Sequence, residues 1–144
     1  MNPLLTHAAS PRAHRSDHTA RFAAQLKDTL AHDQTPEGHP VIRHCVMLRL
    51  SPRADRARLD RVMLGLADVV ERIDGCSDFC AGPNRDFEDK TPDIPYGFTL
   101  DARDAAALAA YAVDPEHLTL GAQLVDMCVG GGAGIVVYDI EVTP

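Results

Sequence analysis

Residues 41–50 form a run of strand-forming residues, and neither face of the strand that they predict is plainly polar. With the period of two that a β-strand imposes, one face is mostly aliphatic, whereas the other alternates basic and sulfur-containing side chains. The first face comprises Ile42, His44, Val46, Leu48 and Leu50, and the second comprises Arg43, Cys45, Met47 and Arg49. A sheet with one face in water shows a plain apolar–polar alternation, so this strand is expected to be covered on both sides by different layers.

Residues 54–73 carry apolar side chains at steps of three and four, which is the spacing of an amphipathic helix. Those side chains are Leu59, Val62, Met63, Leu66, Val69, Val70 and Ile73. Strand-forming segments follow at 76–82 and 96–102, and a proline-rich, charged surface loop is predicted between them over 83–95. The chain therefore passes from a strand through a helix to a pair of strands.

The segment after the third strand predicts a helix in two pieces. Residues 103–111 are alanine-rich, and the Asp114-Pro115 dipeptide then ends one helix and starts the next, because proline fits a first turn and aspartate caps it. The second piece runs to about Cys128. Glycines 130–132 are predicted as a turn, because a phosphate-binding loop needs a preceding strand, a following helix and a lysine. Residues 135–142 form the last strand.

The order β-α-β-β-α-β is that of a ferredoxin-like α+β fold, in which helices cover one face of a four-stranded antiparallel sheet. Cys45, Met47, Ile135 and Val137 are expected on the other face, which is then too apolar to remain in water. A second copy stacked face to face would cover it, so we expect a homodimer that joins through its sheets as a dimeric α/β barrel.

Three charged side chains are assigned to this sheet. Asp139, on the last strand, is expected to pair with Arg43 or Arg49. Both arginines are expected at the dimer interface, where arginine is enriched.

Composition excludes several partners. The chain has 144 residues and a formal net charge of −7, so it lacks the basic surface that nucleic acids or anionic membranes require. No apolar run is long enough to cross a bilayer, and the N-terminus lacks the apolar segment of a secretory signal. A cytoplasmic protein is the expectation.

The four cysteines contain no C-x-x-C pair and are expected to be buried free thiols in a reducing compartment. The alternative is a metal site at Cys76 and Cys80, which would share one face of a strand. Zinc would need two further ligands, and the sequence places none nearby, so neither a metal nor a cofactor is predicted.

The first forty residues differ in composition from the rest. They hold five of the seven histidines, at irregular spacing among proline, serine, threonine and arginine. Helical spacing of apolar residues predicts one amphipathic helix over 17–31, and the alternative is a partly disordered leader. The domain itself is assigned to 41–144, and no chemistry is assigned to 1–40.

His117 is the residue whose local position favours chemistry. With Asp114 as N-cap it is the third residue of a helix, where the exposed amide dipoles disfavour an imidazolium ion. The neutral ring that results is the form a general base requires. No Ser-His-Asp elbow, dinucleotide fingerprint or HExxH zinc motif accompanies it.

Four short motifs lie in the order and at the spacing of one known family. They are Ile42-x-His44-x-Val46, Gly82-x-Asn84, Tyr111-x-x-x-Pro115-x-His117 and Val137-Tyr-Asp139-Ile-Glu-Val142. With them, residues 41–142 resemble the stress-responsive dimeric A/B-barrel (Dabb) domains. The resemblance implies small homodimers without a cofactor, and it includes the olivetolic acid cyclase-like members that close polyketide rings.

The resemblance to the cyclases implies a site. The catalytic histidine of the olivetolic acid cyclase-like members aligns with His117, which would be the base, and their catalytic tyrosine aligns with Tyr111, which would donate to a carbonyl. A histidine of their pocket aligns with His44. Leu66 and Tyr96 stand at ligand-pocket positions where the cyclase has a tyrosine and a histidine, so its substrate is not carried over. The competing interpretation is that these side chains only pack in the core.

Three functions follow from these expectations. The first is a stress-associated homodimer that binds a small apolar ligand in a cavity between sheet and helices. The second is a cofactor-independent polyketide cyclase or lyase, and the third is a purely structural assembly subunit.

Overall fold

The computed structural model describes residues 39–143, and its sheet and helices follow the predicted order. The elements are strand β1 (Val41–Leu48), helix α1 (Arg56–Arg72), strands β2 (Cys76–Pro83) and β3 (Tyr96–Ala102), helices α2 (Ala105–Val113) and α3 (Pro115–Met127), a 3₁₀ turn (Gly131–Gly134) and strand β4 (Ile135–Val142). The helix predicted over 17–31 lies outside the described residues.

The four strands form one sheet in the order β2-β3-β1-β4, with every neighbouring pair antiparallel. The first and last strands of the chain are therefore neighbours, and β2 and β4 are the two edges. This is the ferredoxin-like arrangement that the element order predicts.

Helix α1 supplies most of the layer that covers the sheet. The Asp55 side chain caps its start by accepting hydrogen bonds from the backbone N–H groups of Ala57 at 2.9 Å and Arg58 at 3.3 Å. The predicted stripe is buried, namely Leu59, Val62, Met63, Leu66, Val69 and Val70. On the sheet, Val46, Leu48, Phe98 and Leu100 face this stripe and complete the core.

The register of β4 corrects one prediction about the uncovered face. Ile135 and Val137 pair with Leu48 and Val46, and directly paired residues of antiparallel strands lie on the same face, so both point toward the helices. The uncovered face of β4 instead carries Val136, Tyr138 and Ile140. A one-residue shift in register exchanges the two sets, and composition cannot detect that shift because β4 is apolar on both faces.

A β-bulge in β2 corrects the prediction that Cys76 and Cys80 share a face. The pairing with β3 shifts between Ser77 and Cys80, and Asp78 in the bulge has φ of 54°. Cys76 consequently lies toward the helices, where its thiol approaches the carbonyl oxygen of Ala107 at 3.6 Å, whereas Cys80 is exposed. Two thiols on opposite faces cannot bind one metal ion.

The four cysteines are free thiols, as predicted, but their burial differs from the prediction: Cys128 is buried, Cys45 and Cys76 are half-buried and Cys80 is exposed. None of the helices in the described part of the chain combines the length and apolarity needed to cross a bilayer.

The ion pairs of the sheet also differ from the prediction. Arg43 makes two hydrogen bonds, each of 2.7 Å, to the carboxylate of Asp101 on β3. Arg49 Nε lies 2.7 Å from Asp93 Oδ2 in the loop before β3, at ion-pair distance but without hydrogen-bond alignment. Neither arginine pairs with Asp139, because Asp139 lies on the helix-facing side, directly opposite His44.

Candidate functional site

The junction of α2 and α3 places His117 as the sequence predicts. Asp114 ends α2 and caps α3, with Oδ1 accepting from the backbone N–H groups of Glu116 and His117, both at 3.0 Å. Pro115 occupies the first turn. Arg72 of α1 donates to the same carboxylate oxygen at 2.8 Å, which ties the junction to the neighbouring helix.

The orientation of the His117 ring defines its tautomer. Its Nδ1 lies 3.3 Å from the carbonyl oxygen of Ala112, and a carbonyl can only accept, so Nδ1 carries the hydrogen. In the neutral ring Nε2 therefore holds the lone pair. This leaves Nε2 as the nitrogen that can take a proton.

The pKa of His117 lies below the ordinary value of 6.5. Burial of the ring is the main cause, and the neighbouring His44 lowers the pKa further, while the Ala112 carbonyl opposes the shift. The ring is neutral near pH 7, as predicted, although the dominant cause is loss of solvent rather than the helix dipole.

Tyr111 lies between the two histidines. Its ring centroid is 4.2 Å from that of His117, and 5.8 Å from that of His44 in an edge-on contact. Its side chain is 1% exposed, and its hydroxyl has no hydrogen-bond partner within the described residues. Burial raises its pKa well above the ordinary range, so the phenol stays neutral and keeps a hydrogen to donate.

Asp139 completes this group and was not predicted to belong to it. Its Oδ1 lies 2.7 Å from Nδ1 of His44, its direct neighbour across β1 and β4. The carboxylate accepts the Nδ1 hydrogen, so Nε2 of a neutral His44 carries the lone pair. The sequence signal for this contact is the pairing of the first and last strands in this fold, which places Asp139 opposite His44 once the register is known.

Asp139, His44, Tyr111 and His117 together form a continuous row from the edge strand β4 to the start of α3, here named the polar row. It contains three of the five site residues predicted from sequence. Leu66 is in the apolar core and is 1% exposed. Tyr96 pairs with Leu48 and lies four residues along the strands from the level of His44, or about 13 Å.

A pocket of about 490 Å³ lies at the far end of β1 from His44. The predicted 83–95 loop contributes Pro92, Asp93 and Pro95 to its wall, and Arg49 and Val129 line it from the sheet and from the end of α3. Among residues 39–143, no group of three or more histidine, cysteine or acidic side chains is arranged to hold a metal ion.

The fold and the polar row define a ferredoxin-like α+β domain with a His-Tyr-His cluster on the helix side of its sheet. Residues 42–142 match the model of the Stress responsive A/B Barrel Domain, so the chain belongs to the Dabb family. Comparison with curated proteins found no match.

Solved structures share the fold. A dimeric ferredoxin-like protein of unknown function from Jannaschia sp. CCS1 is 41% identical, with a TM-score of 0.62 over 71% of this chain and 99% of that one. Hydroxynitrile lyase from Passiflora edulis is 12% identical, with a TM-score of 0.61 over 72% of this chain and 94% of that one. A Dabb family protein from Mesorhizobium loti is 20% identical, with a TM-score of 0.53 over 73% and 97%.

Proposed function

We propose that the protein is a stress-associated homodimer that binds a small, largely apolar ligand beside the polar row. The observation that carries this proposal is the buried Tyr111 hydroxyl, which has no partner in the described part of the chain. A buried donor without an acceptor costs about 1–3 kcal/mol, and a ligand oxygen that reaches it when the overlying side chains move would recover that cost.

Apolar side chains near the polar row suit such a ligand. Val113 and Leu118 flank the α2–α3 junction and are 70% and 57% exposed, and Val137, two residues before Asp139, is 47% exposed although it faces the helix side. The helix layer therefore leaves β4 partly open. A ligand carrying one carbonyl or hydroxyl on an apolar body would match both the row and its surroundings.

The homodimer is supported by two observations. The 41% identical protein from Jannaschia sp. CCS1 is dimeric. In this chain Tyr138 and Ile140 are 57% and 51% exposed on the face of the sheet away from the helices. Apolar side chains in water on a sheet face are the usual mark of an interface.

A second candidate, a cofactor-independent polyketide cyclase or lyase, is favoured by the tautomer of His117. Nε2 of His117 would remove the acidic α-proton of a β-keto substrate while the Tyr111 hydroxyl donates to the carbonyl oxygen that becomes negative. His44, held by Asp139, would support the pocket. The Passiflora edulis protein that shares this fold is a hydroxynitrile lyase, which supports a catalytic role for a domain of this architecture.

Binding and catalysis can be tested separately. For binding, acetylacetone is titrated and followed by amide NMR shifts; Tyr111→Phe should weaken binding roughly tenfold, since it removes one hydrogen bond and keeps the ring. Equal affinity for wild type and Tyr111→Phe would contradict the binding site.

For catalysis, ring closure of linear poly-β-keto thioesters is measured in wild type, His117→Ala and the control Leu64→Ala, which alters an exposed residue of α1. Loss of a general base is expected to slow the reaction ~10²–10⁴-fold in His117→Ala only. Equal rates in all three proteins would remove the base assignment.

A further inference from the structure

The pocket of about 490 Å³ at the far end of β1 is separate from the polar row. It lies between the segment that follows β1, the first residue of α1 and the 83–95 loop, and it is here named the end pocket. Arg49 in its wall is five residues beyond His44 in the same extended segment, roughly 16 Å away. A volume of this size is typical of sites that bind small molecules.

One part of the wall of the end pocket is apolar. Leu50 is buried, Pro92 and Pro95 come from the loop, and Val129, which follows α3, is 49% exposed. Removal of the accessible part of such side chains from water favours contact with an alkyl group. The pocket therefore suits a ligand with an apolar body.

The charged part of the wall is positive, although the whole chain has a formal net charge of −7. Arg49, Arg56 and Asp93 line the pocket, so two arginines and one aspartate leave one positive charge in excess. Arg56 is the first residue of α1, is exposed and forms no ion pair within residues 39–143. An arginine without a counter-charge in a pocket attracts an anion.

Arg49 has hydrogen-bonding capacity that Asp93 does not use. Its Nε is buried and lies 2.7 Å from Asp93 Oδ2, yet the two atoms are not aligned for a hydrogen bond, and Nε has no other partner in the described part of the chain. The Arg49 side chain is 39% exposed. A guanidinium group carries five N–H donors in a fork that matches a carboxylate. Asp93 thus shows which chemical group Arg49 accepts, and most of the fork stays open to a second carboxylate.

The loop wall of the end pocket is closed by Asn84. The side-chain amide of Asn84 donates to Thr91 Oγ1 at 2.8 Å and to the carbonyl oxygen of Ile94 at 2.9 Å. Its backbone N–H donates to the carbonyl oxygen of Pro95 at 2.9 Å. The prolines and the acid of the loop are therefore in place before a ligand binds. A preformed site loses less conformational entropy on binding than one that must be ordered.

We propose that the end pocket binds a small organic acid with a short alkyl chain. The carboxylate binds the guanidinium groups of Arg49 and Arg56. The alkyl chain packs on Leu50, Val129 and the loop prolines. A phosphate ion would meet the arginines but would leave the apolar wall in water, so the wall favours a carboxylate with an apolar body. This site is independent of the ligand proposed beside the polar row.

Three probes separate the two parts of the proposed ligand. Hexanoate, 1-hexanol and inorganic phosphate are titrated into the full chain, and binding is followed by amide NMR shifts. Hexanoate carries both recognised groups, the alcohol carries only the chain, and phosphate carries only the charge. We expect hexanoate to bind about tenfold more tightly than either of the others, with its largest shifts at residues that line the end pocket.

Two results of these titrations would overturn the proposal. Hexanoate shifts confined to Tyr111, His117 and their neighbours would move the ligand to the polar row. An affinity for 1-hexanol or phosphate equal to that for hexanoate would remove the proposed ligand class.

Charge variants then test the contact itself. Arg49→Gln should weaken hexanoate binding about tenfold, because it removes charged hydrogen bonds to the carboxylate. Arg53→Gln is the matched control, since it removes the same charge from an exposed residue outside the pocket, and its affinity should stay within about twofold of wild type. Equal affinities for Arg49→Gln and Arg53→Gln would overturn the site.

Two further variants keep the proposal testable if Arg49→Gln fails to fold. Arg56→Gln changes an exposed residue and should weaken hexanoate binding about threefold, whereas Asp93→Asn removes the competing carboxylate and should tighten it about threefold. Affinities unchanged in both variants, or changed in the opposite directions, would overturn the carboxylate contact.

Discussion

The two faces of strand β1 differ although they alternate along the same eight residues. On the helix side Val46 and Leu48 are 4% and 0% exposed. On the outer face, which is the face of the sheet away from the helices, Cys45 and Met47 are half-buried and Arg43 is exposed. Among residues 39–143 the first face is covered within one chain, because the three helices described there pack on it. On the second face Tyr138 and Ile140 are 57% and 51% exposed, and this is the face that we propose a second copy covers.

This contrast separates what the sequence specifies locally from what it specifies through assembly. A residue on the helix side should affect the stability of each protomer, and a residue on the outer face should affect association. The comparison is supported if helix-side substitutions change the stability of the protomer and substitutions on the other face change association. It is contradicted if the two effects are exchanged.

The largest effect is expected on the helix side. Leu66→Ala removes a side chain that is 1% exposed and leaves a cavity, so the free energy of unfolding should fall by ~2–5 kcal/mol. Leu64→Ala on the same helix is the matched control, since Leu64 is 67% exposed and its loss should change stability by no more than about 0.5 kcal/mol. Urea unfolding at one fixed protein concentration measures both, and equal losses would contradict the assignment of the buried face.

A charge on the outer face should act on association instead. Tyr138→Glu buries a carboxylate without a partner, so dimerisation should weaken by at least ~2 kcal/mol, roughly thirtyfold in dissociation constant. Val113→Glu is the control, because Val113 is 70% exposed and lies on α2. Sedimentation velocity across a concentration series measures the change. Unaltered association in Tyr138→Glu would exclude this face as the interface.

A smaller effect is expected at the junction that positions His117. Asp114→Ala removes the N-cap of α3 and should destabilise the protein by ~1 kcal/mol, whereas Asp114→Asn keeps a capping oxygen and should lose less. Hydrogen bonds from the α3 backbone lower the pKa of Asp114, so its stabilising contribution is present above pH 3.8 and is lost as pH falls through the lowered pKa. Thermal unfolding of both variants at pH 7 measures the difference, and identical values would contradict the capping role.

The smallest effect is a titration midpoint. His117 should titrate below pH 6.5, and His44→Gln should raise that midpoint because it removes the neighbouring ring that lowers it. The unfolded chain binds this proton more readily than the folded chain, so stability should decline as pH falls below about 6.5. NMR titration of the imidazole carbons measures the midpoint, and a value at or above 6.5 in wild type would contradict the burial of this ring.

Sequence patterns predicted the fold well because they are local. The stripe from Leu59 to Val70 and the cap at Asp114 depend only on spacing and residue type, and both occur as predicted. The wrong predictions concern which face of the sheet a residue occupies, because that depends on long-range strand register. Val137 and Cys80 changed faces because of a strand register and a bulge, neither of which leaves a local signal.

The candidate site follows the same division. His117 was predicted from its position at a helix start, and the family resemblance implied Tyr111 and His44; the structure brings the three rings together. Asp139 was assigned to an arginine instead, because its contact with His44 exists only once β1 and β4 are paired in register. Tyr96 lies on the same face of the sheet but at a different level along the strands.

The central claim is that the outer face of one protomer is covered by a second copy. Sedimentation equilibrium of the wild-type chain at micromolar concentration tests it most directly. A mass of two chains is predicted, with dissociation promoted by Tyr138→Glu and not by Val113→Glu. A mass of one chain at every concentration would contradict it.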